Sequence, residues 1–395
     1  CLSRGLGDVY KRQGWDWGPQ LPDMGIWRKV TLYGVSKALL DNIHIRQEHK
    51  SGGVELSIQA EIEAFSEGRF DMDVRILDPE GKVIAICKKR LNGKDCNCEM
   101  KINNPKLWWP NGYGEQPLYT VEARLMEGDC CIDSKTVRTG LRTIRVSRDD
   151  DQWGQEFCIV VNETKIFAMG ADYIPEDQII SRCSPSKTRH LLEQCVKANF
   201  NHIRVWGGGY YPEDYFFDIC DELGLLVWQD FMFACAVYRM SEDFTNNIRQ
   251  EIIEHVKRIR NHASLALWCG NNEMETAWDS WGIPQDQDLK EDYLFQFEEL
   301  IPEICRQYDP DTFYWPSSPS CGGNFEDPNS YTRGDVHYWD VWHGMKPLTE
   351  FRKFYFRFCS EYGFMSLPNQ KTINDFAAPE ECNLFSACLL YTSPS

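Results

Sequence analysis

After about residue 150 the chain settles into short apolar runs separated by helical stretches, a rhythm that few folds accept. The runs lie at 167 to 172, 202 to 206, 225 to 230, 264 to 269, 313 to 316, 335 to 339 and 356 to 360. Runs this short and this apolar predict strands buried on both faces, as in a parallel sheet covered by helices. The clearest helices are predicted over 187 to 199 and 245 to 260, the latter with Ile248, Ile252, Val256 and Ile259 on one face. Pro212 and Gly224 bracket a third. Seven strands in βα order predict a (β/α)8 TIM barrel truncated before its last strand.

Upstream the period is two. Val54, Leu56, Ile58, Ala60 and Ile62 alternate with mostly polar residues, and Phe70, Met72, Val74 and Ile76 do the same before the turn Asp78, Pro79, Glu80, Gly81. This predicts an immunoglobulin-like β-sandwich over 39 to 145. The expected organisation is a short first piece over 14 to 38 with an alternating strand towards its end, then the sandwich, then the barrel over 146 to 385. At 395 residues, two or three domains are expected. Residues 1 to 13 and 386 to 395 have no periodicity that joins them to their neighbours and resemble translated adapter sequence. The chain is therefore expected to be an internal fragment with non-native ends.

Two strand ends carry the chemistry. The run Leu265, Ala266, Leu267, Trp268 stops at Cys269 and Gly270 and is followed at once by Asn271, Asn272 and Glu273. Further on, Phe356 to Ser360 lead into Glu361 in the same way. Barrel enzymes keep their chemistry at the ends of such strands. Two glutamates so placed predict paired acid and nucleophile work on a sugar, with the carboxyls about 5 to 5.5 Å apart if configuration is retained. Arg204 and Asp230 end two other strands and are expected to form a supporting ion-pair layer. His337, also at a strand end, is a candidate sugar contact. His337 and His343 lack a third ligand at useful spacing, so no metal site is expected.

Composition narrows the partners. A net charge of −18 leaves no basic footprint for a phosphate backbone, which excludes nucleic acid. Fourteen Trp offer surfaces on which the C–H faces of sugars stack. No apolar run reaches the roughly 18 residues of a membrane span, and no membrane partner is expected. The 17 Cys show no C-x-x-C spacing and read as free thiols in a reducing compartment, which favours the cytoplasm. No cofactor is expected.

The runs GWDWGP (14 to 19), LWWPNGYGEQPLY (107 to 119), RVWGGGYYPEDYFFDICDELGLLVWQDFMFAC (204 to 235), WCGNNEMETAW (268 to 278), HYWDVWHG (337 to 344) and SEYGFMSLP (360 to 368) resemble the β-mannosidases of glycoside hydrolase family 2. The resemblance implies a jelly roll, of which 14 to 38 is the end, followed by sandwich and catalytic barrel. It implies a retaining exo-enzyme that releases terminal non-reducing β-D-mannose from short β-mannoside oligosaccharides. It further implies that Glu273 is the acid/base, Glu361 the nucleophile, and Asn272 the partner of a hydroxyl beside the reacting carbon. By the same resemblance Trp15 and Asp16 reach into the barrel mouth to hold sugar hydroxyls, and Trp206, Trp281 and Trp339 wall the pocket. The alternatives are an exo-β-glucosaminidase or endo-β-mannosidase of the same family, or a sugar-binding fragment without turnover.

Overall fold

The structure, a computed structural model, describes residues 26 to 387 apart from 27, 92, 94, 365 to 367 and 384. Trp15 and Asp16 lie outside the described residues. The first unit consists of β1 (Ala38–Lys50), β2 (Gly53–Ala64), β3 (Asp71–Leu77), β4 (Val83–Arg90), β5 (Asp95–Asn103), β6 (Tyr119–Glu127) and β7 (Cys130–Thr139). They form two antiparallel sheets, ordered β1-β2-β5 and β4-β3-β6-β7. Alternation along β2 turns Val54, Leu56, Ile58, Ala60 and Ile62 to one face, where all five are buried against Met72, Val74 and Ile76 of the second sheet and Val121 and Leu125 beside them.

The alternating strand expected before residue 38 is not formed within the described residues. Val30, Leu32 and Tyr33 are exposed there and join no ladder. An alternating pattern needs a sheet face to bury against, and here the segment is tied instead by Arg28, which bonds Glu213 at 2.6 Å and the Tyr211 carbonyl at 2.9 Å.

A small antiparallel sheet of β8 (Ile144–Ser147), β11 (Cys158–Val161) and β12 (Thr164–Ile166), with the hairpin β9 (Asp150–Asp151) and β10 (Gly154–Gln155) projecting from it, leads into the second unit. There β13 (Gly170–Tyr173), β14 (His202–Val205), β15 (Leu226–Asp230), β16 (Leu265–Cys269) and β17 (Phe313–Trp315) form one parallel sheet in chain order. β18 (Val336–Tyr338) and β19 (Cys359–Tyr362) form a further parallel pair. Helices Pro185–Lys197, Asp214–Leu223 and Glu242–Ile259 fill the first three crossovers. Their boundaries obey local chemistry. Ser184 and Ser241 accept from backbone N–H groups in the first turns of the first and third, and Gly224 ends the second in the left-handed conformation at φ 73°. The last strand begins at Cys359 rather than Phe356, because Phe358 turns inward against Trp228 and His202 and pairing starts after it. The first begins at Gly170 rather than 167, since Phe167 and Met169 face solvent.

The sheet curls. Phe157, Trp228, Leu267 and Trp315 fill its interior together with Phe358, and residues of β14 reach those of β19 although the two strands do not pair. The sandwich grips the outside of this unit through backbone-directed bonds. The Asn261 amide accepts from Ile45 N at 2.9 Å and donates to the Ile43 carbonyl at 2.8 Å, extending the ladder of β1. Arg142 donates to the carbonyls of Ala263 and Leu265. Trp108, with no exposed surface, packs on Ile159, Leu226, Ala263 and Ala266 and donates its indole N–H to the Asp221 carbonyl at 2.8 Å.

A Trp108→Ala substitution empties this junction and is expected to cost about 3 to 5 kcal/mol of stability. Trp108→Phe, which keeps most of the volume but loses the indole donor, is expected to cost less. Chemical denaturation midpoints of the two variants check the order, and equal midpoints would remove Trp108 from the role of keystone.

Candidate active site

Arg204, near the end of β14 and 2% exposed, is the centre of a cluster built from four strand ends. Its Nη2 donates to Asp230 Oδ2 at 2.9 Å and to Asn272 Oδ1 at 2.7 Å, and its Nη1 donates to Glu361 Oε1 at 2.9 Å. Asp230 is saturated by two further donors, Gly207 N and Trp228 Nε1, each at 2.9 Å. The expected Arg204–Asp230 layer is thus present, and it reaches both amide and carboxylate of the site.

After β16 the chain turns sharply past Pro316. A Cβ on Gly270 would lie 2.2 Å from the Pro316 carbonyl, so only glycine passes there. Asn271 then caps the following helix, Met274–Ser280, by accepting from Met274 N at 3.1 Å. Glu273 occupies the position before that helix, but its side chain makes no capping bond. Its backbone is left-handed at φ 63°, a costly conformation for glutamate that is fixed by Glu273 N donating to the Ser318 carbonyl at 2.7 Å. The result is a carboxyl turned away from the helix and towards Glu361.

His337 stands between the two. Its Nδ1 is 2.9 Å from Glu273 Oε1 and 3.2 Å from Glu361 Oε2, and the three contacting atoms lie within 4.8 Å of one another. Burial lowers the His337 pKa to about 4, so the ring is neutral near pH 7. Two carboxylate oxygens face Nδ1 and the Arg204 guanidinium faces Nε2 at 3.3 Å, an environment that selects the Nδ1–H tautomer. Burial also lifts both glutamates above the ordinary range, and the negative neighbour adds to the rise at Glu361. Like charges this close favour one shared proton. Arg204 contacts Glu361 and not Glu273.

Trp339 donates its indole N–H to Glu361 Oε2 at 3.2 Å. Trp206 is nearly buried just past β14, and its ring lies where a Cβ on Gly208 would approach to 2.0 Å. The structure therefore brings Glu273, Glu361, Asn272, His337 and Trp339 into one network, and Trp206 directly follows the strand of Arg204. Trp281 is half exposed at the end of the helix Met274–Ser280 and takes no part in this network.

Three neighbours escaped sequence reasoning. Asp335 accepts from Ser318 Oγ at 2.6 Å and from Ser360, and Ser318 Oγ also meets His337 Nε2 at 3.0 Å, bracing the imidazole from behind. Cys235 Sγ lies 3.4 Å from Glu273 Oε2, with burial pushing its thiol well up so that it stays a neutral donor. Asp172, on β13, faces Arg204 at 3.7 Å. It ends the first predicted strand, the same signal that marked the glutamates.

Among the described residues two groups bring three potential metal ligands together: Glu273, His337 and Glu361, and Asp218, Asp221 and His262. The first is engaged in the hydrogen bonds above. In the second, Asp221 is bonded to His262 at 2.7 Å and to Ser264 N, and Asp218 has Arg138 as its cation.

Residues 38 to 142 match the model of glycosyl hydrolases family 2. The chain is 35% identical over 381 residues to a β-mannosidase B of Aspergillus oryzae and 36% identical over 392 residues to that of Aspergillus niger, in each case over 93% of this chain. It covers 44% and 45% of those two proteins, so it spans somewhat under half their length. The crystal structure of a β-D-mannosidase from Dictyoglomus thermophilum superposes with a TM-score of 0.89 at 37% identity, over 96% of this chain and 46% of that one. A β-glucuronidase of Bacteroides uniformis, at 18% identity and a TM-score of 0.65, shares the fold. The likeness to these β-mannosidases thus extends over nearly the whole of this chain, and its residues 38 to 142 form a glycosyl hydrolases family 2 domain.

Proposed function

We propose that this chain carries the catalytic centre of a retaining exo-β-mannosidase acting on β-mannoside oligosaccharides. The observation that carries the reading is the approach of Glu273 and Glu361 across His337, with the contacting oxygens within 4.8 Å. Carboxyl oxygens that meet one imidazole nitrogen at 2.9 and 3.2 Å hold their groups nearer to the roughly 5 to 5.5 Å separation of retaining enzymes than to the roughly 6.5 to 9.5 Å that leaves room for a water in inverting ones. In the first step Glu361 attacks the anomeric carbon, the bond to the departing oxygen breaks, and Glu273 gives that oxygen its proton. In the second, Glu273 takes a proton from water, whose oxygen displaces Glu361 from the sugar. Asn272 is fixed through Oδ1 by Arg204, and its Nδ2, which makes long contacts to Cys235 Sγ at 3.5 Å and Glu273 Oε2 at 3.4 Å, is the donor for a hydroxyl beside the reacting carbon.

The same reading assigns an immunoglobulin-like sandwich to 39 to 145 and a (β/α)8 barrel to 146 to 385, of which seven parallel strands are described. The chain order of β13 to β17 and the contact from β14 to β19 support the barrel. Residues 14 to 38 are assigned to the end of a jelly roll, with Trp15 and Asp16 as proposed sugar contacts outside the described residues. No helix among the described residues is long and apolar enough to cross a membrane.

The tests are made in a polypeptide extended to the length of the curated relatives. Hydrolysis of an aryl β-mannoside in preference to an aryl β-glucosaminide is expected, and the reverse preference would replace mannose in the reading. Glu361→Gln is expected to cut turnover at least about 10³-fold while the protein still folds. Arg204 keeps Asp230, and the cluster loses one of several carboxyls set against a single guanidinium. Near-normal activity of that variant would overturn the nucleophile assignment.

Glu273→Ala is expected to spare substrates with a strongly acidic leaving group in the first step and to slow those with an alkyl aglycone by about 10²- to 10⁴-fold. Its pH profile supplies a further check. An acid must be protonated, so kcat/KM of the parent enzyme falls as pH rises through the Glu273 pKa, which burial holds above that of ordinary glutamate. That alkaline limb should vanish in Glu273→Ala, and its persistence would assign the proton to another group.

A further inference from the structure

Four carboxyls surround Arg204, and three of them have their hydrogen bonds inside the protein. Asp230 accepts from Arg204, Gly207 N and Trp228. Glu361 accepts from Arg204 and Trp339. Glu273 meets His337 and Cys235. Asp172 is the exception: its Oδ1 is buried and has no hydrogen-bond partner. The nearest cation, Arg204 Nη1, is 3.7 Å away, close enough for attraction but too far for a hydrogen bond.

The place of this orphan in the fold is fixed. Asp172 is paired in register with Arg204 across β13 and β14, so both side chains leave the sheet on the same side and at the same level. Its side chain remains 25% exposed, against 2% for Arg204, so one edge of the carboxyl opens outward while Oδ1 points into the cluster. Buried acceptors without partners are rare in folded proteins, and one beside a substrate site is accounted for by a ligand that supplies the donor. The neighbouring guanidinium disfavours a metal ion there. A neutral O–H donor suits the position, and a sugar offers several.

We propose that Asp172 is a specificity-determining substrate contact, whose Oδ1 accepts a hydrogen bond from one hydroxyl of the sugar held beside Glu361. The proposal rests on the glycosidase reading and adds to it a residue from the first strand of the curled sheet. Burial pushes the Asp172 carboxyl well above its usual range, so it can stand near Glu361 without competing fully for Arg204. A hydroxyl can bond Oδ1 in either protonation state. Asp172→Asn therefore preserves an acceptor of the same shape, whereas Asp172→Ala removes it.

The experiment uses methyl β-mannoside and its monodeoxy analogues as ligands, and aryl β-mannosides with the same deletions as substrates, in the extended polypeptide. Calorimetric binding and kcat/KM are measured for the parent, Asp172→Ala and Asp172→Asn. In the parent, one deletion is expected to weaken recognition roughly 10- to 100-fold. In Asp172→Ala that penalty should fall to near unity for this hydroxyl alone, with Asp172→Asn in between. Penalties that stay unchanged for every hydroxyl, whether activity drops uniformly or not at all, would overturn the proposal and reduce Asp172 to a structural charge. Selective binding without hydrolysis of any aryl glycoside would support Asp172 while overturning the hydrolase reading. Absence of binding to every analogue would overturn both.

Discussion

A guanidinium with 2% of its surface exposed cannot be left unpaired, and the residues that satisfy Arg204 are the residues of the candidate site. Asp230 takes two of its N–H groups, Asn272 shares one of these, and Glu361 takes another. Each partner comes from a different strand end, so the pairing also fixes how the strands are rotated about one another. Replacing such a group does not merely subtract a bond. It strands several carboxyls in a poorly solvated cluster, which explains why the charge is bidentate on one side and shared on the other.

The sandwich contributes to this geometry without touching it. Trp108 and Arg142 seize backbone atoms on the outside of the second unit, at Asp221, Ala263 and Leu265, and Asn261 of that unit binds the backbone of β1 in return. Ala263 and Leu265 open the strand whose far end delivers Asn272 and Glu273. The position of the Glu273 carboxyl is therefore set at one end by packing against the sandwich and at the other by the Ser318 carbonyl that holds Glu273 N. Rigid support on both sides suits a group that must keep within a fraction of an ångström of its partner.

Much of this was legible in the sequence, and the parts that were not have physical reasons. Strand interiors such as Val54 to Ile62 and Leu265 to Cys269 announce themselves because burial on one or both faces leaves a period. Helix ends at Ser184, Ser241 and Gly224 are equally local. The segment of Val30, Leu32 and Tyr33 has the alternation but no face to bury it, and tertiary context overruled the pattern. The left-handed turn at Glu273 left no trace, because glutamate there is tolerated by the surroundings rather than chosen by propensity. His337 was visible as a strand-end histidine, but its place between two carboxyls depends on chain segments far apart in sequence. Asp335 and Cys235 were missed for the same reason.

On the reading proposed above, two neighbouring glutamates do opposite work, one holding a proton and the other free of it. Their own chemistry does not separate them. The asymmetry comes from what lies on either side of His337. Arg204 contacts Glu361 directly and favours its anion, and the Trp339 indole adds a second donor to the same carboxylate. Glu273 receives only the weaker thiol of Cys235 and a long contact from Asn272 Nδ2 at 3.4 Å. A neutral imidazole with its proton on Nδ1 can serve either carboxylate without adding charge to one of them, so it preserves the bias that Arg204 creates. The division of labour proposed for acid and nucleophile thus rests on the donors that surround each group, the buried guanidinium among them.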